Sequence, residues 1–215
     1  MAVVIPLPAE GSSGDWGPIA RIIQVGGVIA MPTESFYALG ANPLDPAAIR
    51  RVWAIKGRPA EKPILVVIAD RDQLATFVEA VTPAAEALIE RFWPGPLTVI
   101  LPAASRVPEA LTAGTGTVGV RLTAARVLAR LLNAVGPLTG TSANRSGAPP
   151  ARSAEEVQTT LGDDVDLIVD GGSTYGGQPS TVVDAVGPVR VLRDGPISRT
   201  QIAVALAGAG LALAS

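Results

Sequence analysis

The stretch Val28-Ile29-Ala30-Met31-Pro32-Thr33-Glu34-Ser35-Phe36-Tyr37-Ala38-Leu39-Gly40 decides the fold class. Its opening apolar run, 28–31, closed by Pro32, has the length and composition of a buried strand. The hydroxyls and carboxylate that follow stand at that strand's carboxyl end, where open α/β sheets take their ligands. A helix is predicted just before it, over 16–25. Working outward, further apolar runs predict strands at 64–68, 97–101, 118–122, 167–169, 181–183 and 189–192. Between them lie readable helix starts. Asp45-Pro46, Thr82-Pro83 and Ser153-x-x-Glu156 each set a side-chain acceptor before the unpaired N–H groups of a first turn, which Pro tolerates. Helices are also expected over 124–133 and 200–207. The reading is an α/β fold: a twisted, open, mixed sheet, parallel and antiparallel, flanked by helices. The Ala/Gly-rich end, 208–215, reads as a frayed tail.

Composition narrows the chemistry. Of 215 residues 48% are hydrophobic and 17% charged, which argues for a packed core and against disorder. No apolar run approaches the length needed to span a bilayer. The N-terminal MAVVIPLPAEGSS lacks the basic-then-apolar order of a secretory signal, so the expected location is the cytoplasm. Gly and Pro, 23 and 19, cluster at strand ends without marking a linker, so the expectation is one domain over 1–215 with long functional loops. There is no Cys and no His. Thiolate catalysis, Ser-His-Asp triads and Cys- or His-ligated metals are thereby excluded. What remains is carboxylates, Lys, Arg, hydroxyls, amides, backbone N–H groups and any cation that a substrate brings, a set suited to phosphate chemistry. The formal net charge of −2, with no basic arm, gives no broad nucleic-acid surface, so an anion site must be local.

Four loops could hold such a site, and each also has a plainer reading. Lys56-Gly57-Arg58-Pro59-Ala60-Glu61-Lys62-Pro63 contains both lysines of the chain. Its three cations could converge on one anion through charge-assisted hydrogen bonds, or it could be a solvated turn after a helix C-terminus, where cations are favoured anyway. In the 31–40 loop Ser35 and Thr33 could grip a small polar substrate or merely satisfy a turn, and Glu34 could be a base or a cap. Thr139-Gly140-Thr141-Ser142-Ala143-Asn144-Arg145-Ser146-Gly147 could bind phosphate or ribose oxygens or be an Asx/Ser turn. The segment 170–181 is either a lid or a long connection, with Ser180, just before a strand, its best candidate. Arg121 and Arg193 close two strands and could reach a shared cleft. Gly114-x-Gly116-x-x-Gly119 runs into a strand instead of opening a helix, so a dinucleotide reading fails, and no Walker-type loop is present. Trp53, Trp93 and Phe92 read as packing residues.

Taken in order, Pro32-Thr33-Glu34-Ser35 with Tyr37 and Gly40, Lys56-x-Arg58-Pro59, Ser142-Ala143-Asn144-x-Ser146-Gly147, Ser180-Thr181-Val182-Val183-Asp184 and Leu192-Arg193-x-Gly195 resemble the YrdC family over about residues 15–200. The resemblance implies a cleft with a large electropositive concavity and synthesis of L-threonylcarbamoyl-AMP from L-threonine, bicarbonate and ATP with release of pyrophosphate. It implies that Ser35, Arg121, Ser142 and Ser180 contact threonine, that Arg58, Lys62, Thr117, Asn144, Arg152 and Arg193 contact ATP, and that Lys56 and Arg58 carry the catalytic charge. Mg²⁺ would arrive with ATP, with no metal site made by protein alone. Partner proteins would move the threonylcarbamoyl group to tRNA adenosine, and direct contact with tRNA is also admitted.

Three positions depart from the family pattern: Val67 stands where longer members have His, Lys62 where Asn is frequent and Thr123 where Pro is common. The first two look like the short bacterial branch, without the extra C-terminal domain of longer members. A non-catalytic nucleotide- or RNA-binding relative is the alternative reading. A carbamoyl-transfer module of hydrogenase maturation is a third.

Overall fold

The computed structural model describes residues 1–8, 14–57 and 62–214. In chain order the elements are β1 (Val3–Pro6), α1 (Gly17–Gln24), β2 (Ile29–Pro32), β3 (Tyr37–Gly40), α2 (Pro46–Lys56), β4 (Val66–Ile68), a 3₁₀ turn (Arg71–Thr76), α3 (Pro83–Phe92), β5 (Leu97–Pro102) and α4 (Glu109–Thr112). There follow β6 (Thr117–Leu122), α5 (Arg126–Val135), β7 (Leu138–Thr139), β8 (Thr141–Ser142), α6 (Ala154–Leu161), β9 (Leu167–Asp170), β10 (Thr181–Asp184), β11 (Arg190–Arg193) and α7 (Arg199–Gly208). The mixed α/β architecture is as the sequence predicts, with the strands divided between two sheets. One is ordered β1-β9-β2-β3-β8 and the other β11-β10-β5-β6-β4-β7. Both mix parallel pairs, such as β2 with β9 and β10 with β5, and antiparallel ones, such as β2 with β3 and β5 with β6.

The marked helix starts are caps. Asp45 accepts from the Ala47 N–H, Thr82 from Ala85 and Ser153 from Glu156, and Pro46 and Pro83 occupy the first turn. α2 stops at Gly57, whose φ of 63° is left-handed and open to glycine at little cost. α1, α5 and α7 lie within two residues of their expected bounds. The 64–68 run becomes a strand only from Val66, and β1, β3, α4, β7 and β8 are additional to the sequence reading.

The apolar strands are buried on both faces, which is why they read as continuous runs. In β2, Ala30 joins a large core with Ile49 and Val52 of α2, Leu88 of α3 and Ile202 of α7. Ile29 and Met31 face a smaller core with Ile19 and Ile23 of α1 and Leu128, Leu131 and Leu132 of α5. Trp53 is buried and Phe92 and Trp93 pack against the larger core, the packing role the sequence assigns them. The chain end departs from expectation. Leu213 bridges Val189, the Ala214 N–H donates to the Val189 carbonyl at 2.8 Å, and Leu211 and Leu213 pack on the larger core, so 211–214 is docked where a frayed tail was expected.

The two sheets are joined within one short stretch. β7 pairs with β4 in the second sheet and β8 with β3 in the first, with Gly140 alone between them. The buried Thr139 hydroxyl accepts from Ala41 N–H at 2.9 Å and donates to the Leu39 carbonyl at 3.1 Å, tying the crossing to the end of β3. The Gly140 N–H donates to the Leu65 carbonyl at 2.9 Å. A Cβ on Gly140 would lie 2.4 Å from Val67 Cγ2 and 2.8 Å from Leu65 Cδ1. Val67 is β-branched and held in β4, so it has little room to yield. Gly140→Ala is expected to destabilise the protein by about 1–3 kcal/mol through overpacking, read as a lower urea midpoint at unchanged m.

Candidate functional site

A cleft of about 440 Å³ opens at this crossing, lined there by Gly140, Thr141 and Ser142 together with Leu65, Val67 and Arg121. Two neighbouring strands set its floor: Val67 lies opposite Arg121 in the β4–β6 pair. At the other end of the same sheet, Arg193 lies opposite Val182, and Val182 opposite Thr98. The cleft gathers Ser35, Lys56, Lys62, Arg121, Ser142, Asn144, Ser180 and Arg193 from the sequence-derived set. Arg58, expected in the same site, lies outside the described residues, as do Pro59, Ala60 and Glu61.

Thr117 and Arg152 do not line the cleft. Thr117 stands at the start of β6, four residues and so about 14 Å along the strand from Arg121, with its hydroxyl 3.0 Å from that of Thr115. Arg152 reaches instead to the 171–179 segment, donating to the Tyr175 carbonyl at 3.2 Å. That segment is tied down at several points. The Tyr37 phenol donates to the Gly172 carbonyl and accepts from the Gly171 N–H, while the Gly176 N–H donates to the Ser35 carbonyl at 2.9 Å.

The polar side chains of the site divide by how fully they are engaged. Lys56, 3% exposed at the last turn of α2, donates from Nζ to the Ser142 carbonyl at 2.7 Å and to Asn144 Oδ1 at 2.8 Å. Asn144 also accepts from the Ser142 hydroxyl at 2.6 Å and donates from Nδ2 to the carbonyls of Arg145 and Ala148. Its amide is saturated within the protein. These two residues therefore brace the 142–147 loop, and the Asn144 side chain has no group left over for a ligand. Ser180, on entry to β10, has its hydroxyl 2.8 Å from that of buried Thr98 and accepts from Arg193 Nη2 at 3.1 Å. Arg193 Nε and Nη2 also hold the Ser180 carbonyl.

Arg121 and Arg193 are the electrostatic centre. Arg121 is 7% exposed; its Nη2 donates to Glu34 Oε2 at 2.9 Å, and its Nε is buried without a partner. Nε carries an unpaired polar cost inside the protein, while the Arg121 side chain as a whole lines the cleft. Burial and then the nearby Arg121 charge hold Arg193 below the usual guanidinium range. Glu34 is opposed in its shifts: burial raises its pKa, but the Arg121 charge, the Thr123 hydroxyl and backbone N–H bonds outweigh it, so the carboxyl sits below its ordinary value. Two guanidinium groups and several hydroxyls lining one cleft make an arrangement chemically suited to an anion.

Sequence reasoning missed Thr98, although a single polar residue inside the apolar run 97–101 is the signal that could have found it. It also left Glu34 open between base and cap. Oε1 accepts from Thr123 Oγ1 at 2.7 Å and from the N–H groups of Ala124 and Ala125, leading into α5, so Glu34 is a cap. Among the described residues no group of three acidic side chains is placed to hold a metal, and no helix is long and apolar enough to cross a membrane.

Fold and site together define an α/β protein with an arginine- and hydroxyl-lined cleft where two sheets meet. The chain belongs to the Sua5/YciO/YrdC family, whose model, described as telomere recombination, matches residues 21–195. A curated threonylcarbamoyl-AMP synthase of Thiobacillus denitrificans is 42% identical over 177 residues, 82% of this chain and 94% of the relative. One of Pyrococcus abyssi is 40% identical over 185 residues, 85% of this chain, and this chain spans 54% of that relative's length. The crystal structure of P. abyssi Sua5 complexed with L-threonine is similar with a TM-score of 0.89 at 36% identity, covering 95% of this chain and 61% of that one.

An anion site of this kind has a thermal signature. Pyrophosphate at about a hundredfold excess over its Kd is expected to add about 2.7 kcal/mol, or roughly 5–10 °C in Tm at this size. Arg193→Ala is expected to lose most of that increment in a thermal-shift titration.

Proposed function

We propose that this protein makes L-threonylcarbamoyl-AMP from L-threonine, bicarbonate and ATP. Threonine and bicarbonate give a carbamate with loss of water. A carbamate oxygen then attacks the α-phosphorus of ATP, and the bond to the β-phosphate oxygen breaks to release pyrophosphate. The observation that carries this reading is the meeting of Arg121 and Arg193 with Ser35, Ser142 and Ser180 in one cleft. The names of the relatives point the same way.

Arg121 takes the threonine carboxylate, with Ser35, Ser142 and Ser180 offering hydroxyls around it. Lys62 and Arg193 meet the ATP phosphates, joined on the sequence motif by Arg58. Lys56 and Asn144 act by holding the loop that carries Ser142. For Thr117 and Arg152 the cleft's lining supplies no support, and they are left out of the contact set. No covalent nucleophile is needed, because the carbamate is itself the nucleophile and the protein contributes orientation and stabilisation of developing charge. That accounts for a working site with neither His nor Cys. Mg²⁺ comes with ATP and is held chiefly by phosphate oxygens. The described chain works as one unit around this cleft, in the cytoplasm, and hands its product to proteins that modify tRNA adenosine.

The test is a pyrophosphate-release assay with each substrate left out in turn. Release is expected only with threonine, bicarbonate and ATP together. Tight ATP binding with no release under any condition would instead identify a nucleotide-binding relative without catalysis. Arg58→Ala is expected to lower turnover by on the order of 10²–10³, the usual loss on removing one transition-state charge donor; turnover within a few-fold of the parent would remove Arg58 from the mechanism.

A further inference from the structure

Glu34 lies one residue before the threonine-side hydroxyl of Ser35, yet it does not line the cleft. All its contacts lead elsewhere. Oε1 receives the Thr123 hydroxyl and the N–H groups of Ala124 and Ala125, while Oε2 receives Arg121 Nη2 at 2.9 Å. The partners are 87 to 91 residues distant in sequence. α5 needs this help, because its own N-cap residue is Ala125, which has no side chain to accept a hydrogen bond. A carboxylate at a helix N-terminus is also favoured by the helix dipole.

The arrangement rules out a general base. Four donors occupy the carboxylate, three of them on one oxygen, and its pKa is displaced downward, away from the neutral range where a base works well. What it does achieve is orientation. A guanidinium offers five N–H donors in a rigid plane, so fixing one nitrogen fixes the directions of the rest. With Nη2 drawn to Glu34, Nε is left buried and without a partner.

We propose that Glu34 is a positioning residue for the substrate carboxylate: by holding Arg121 Nη2 it fixes the plane in which the guanidinium lines the cleft, and by tying down the entry to α5 it makes that helix part of the same rigid unit. This rests on the reading of Arg121 as the group that takes threonine. Its consequence is selective. Loss of the Glu34 charge acts first on Arg121, whereas Arg193, a proposed phosphate contact, is held by Ser180 and makes no hydrogen bond to Glu34.

Two variants separate orientation from capping. Glu34→Gln keeps an oxygen that can accept from Thr123, Ala124 and Ala125, but sets a neutral amide beside Arg121. Glu34→Ala removes both functions. Glu34→Gln is expected to raise the KM for threonine at least tenfold, with the KM for ATP within about twofold of the parent, and to lower Tm because buried Arg121 loses its carboxylate. Glu34→Ala should show the same rise in threonine KM together with a Tm lower still, because the hydrogen bonds to Thr123, Ala124 and Ala125 go as well. Equal shifts in both KM values for Glu34→Gln, or a threonine KM within twofold of the parent, would overturn the proposal while leaving the enzyme reading intact. A parent protein with no threonine-dependent pyrophosphate release would overturn the enzyme reading, and this proposal with it.

Discussion

Everything at the site depends on a crossing five residues long. From Leu138 to Ser142 the chain leaves one sheet and enters the other, with Gly140 as the only residue belonging to neither. The step is possible because Thr139 satisfies buried backbone groups at the end of β3 with its hydroxyl, and because Gly140 brings no Cβ against Val67 and Leu65. Buried polar backbone without partners would be costly anywhere, and here it would fall at the junction of two sheets. The crossing puts the Ser142 loop opposite the strand end that carries Arg121. Without it the hydroxyls and the guanidinium would belong to different surfaces.

A second constraint follows from burying cations. Lys56 and Arg121 are nearly inaccessible, and Arg193 is held by the carbonyl and hydroxyl of Ser180. Neutral oxygens compensate a buried charge less completely than a carboxylate does. Burial first, and the Arg121 charge second, displace the Arg193 pKa downward. Such a cluster lowers stability in the absence of ligand and gains most when an anion arrives, which is the usual direction of compromise at functional sites.

The legibility of the sequence followed the length of each signal. Strands buried on both faces, such as β2, β5 and β6, announce themselves as apolar runs, and Asp45, Thr82 and Ser153 announce helices because capping is a local interaction. β7 and β8, each of two residues, have no periodicity to detect; they exist because Thr139 and Ser142 find partners in other strands. β3 was hidden behind the polar loop before it. The docking of 211–214 on Val189 was equally illegible, since an Ala/Gly-rich composition says nothing of a tertiary partner. The site itself was legible as types of residue: the motif order located Ser35, Arg121, Ser142, Ser180 and Arg193, which the fold does gather. What each does was less so, because a role depends on which donors remain unmatched after folding.

Asn144 and Arg121 make that distinction concrete. Asn144 stands in the Ser-Ala-Asn motif and Arg121 at a strand end, and the family resemblance implies a ligand contact for both. Folding saturates the Asn144 amide with Lys56, Ser142, Arg145 and Ala148, so its part is to hold a loop in shape. Folding pairs Arg121 with Glu34 and leaves the guanidinium lining the cleft, which is why the proposed substrate contact falls on it. A residue of the first kind should tolerate only replacements that keep every hydrogen bond, since any other opens a buried polar group. A residue of the second kind keeps donors that the protein's own hydrogen bonds do not use up. The same division sorts Lys56 from Lys62: one is enclosed against the loop it braces, while the other remains on the cleft's exposed rim. Two lysines six positions apart thus stand in one cleft in different ways, one bracing the loop that shapes it and one exposed at its edge.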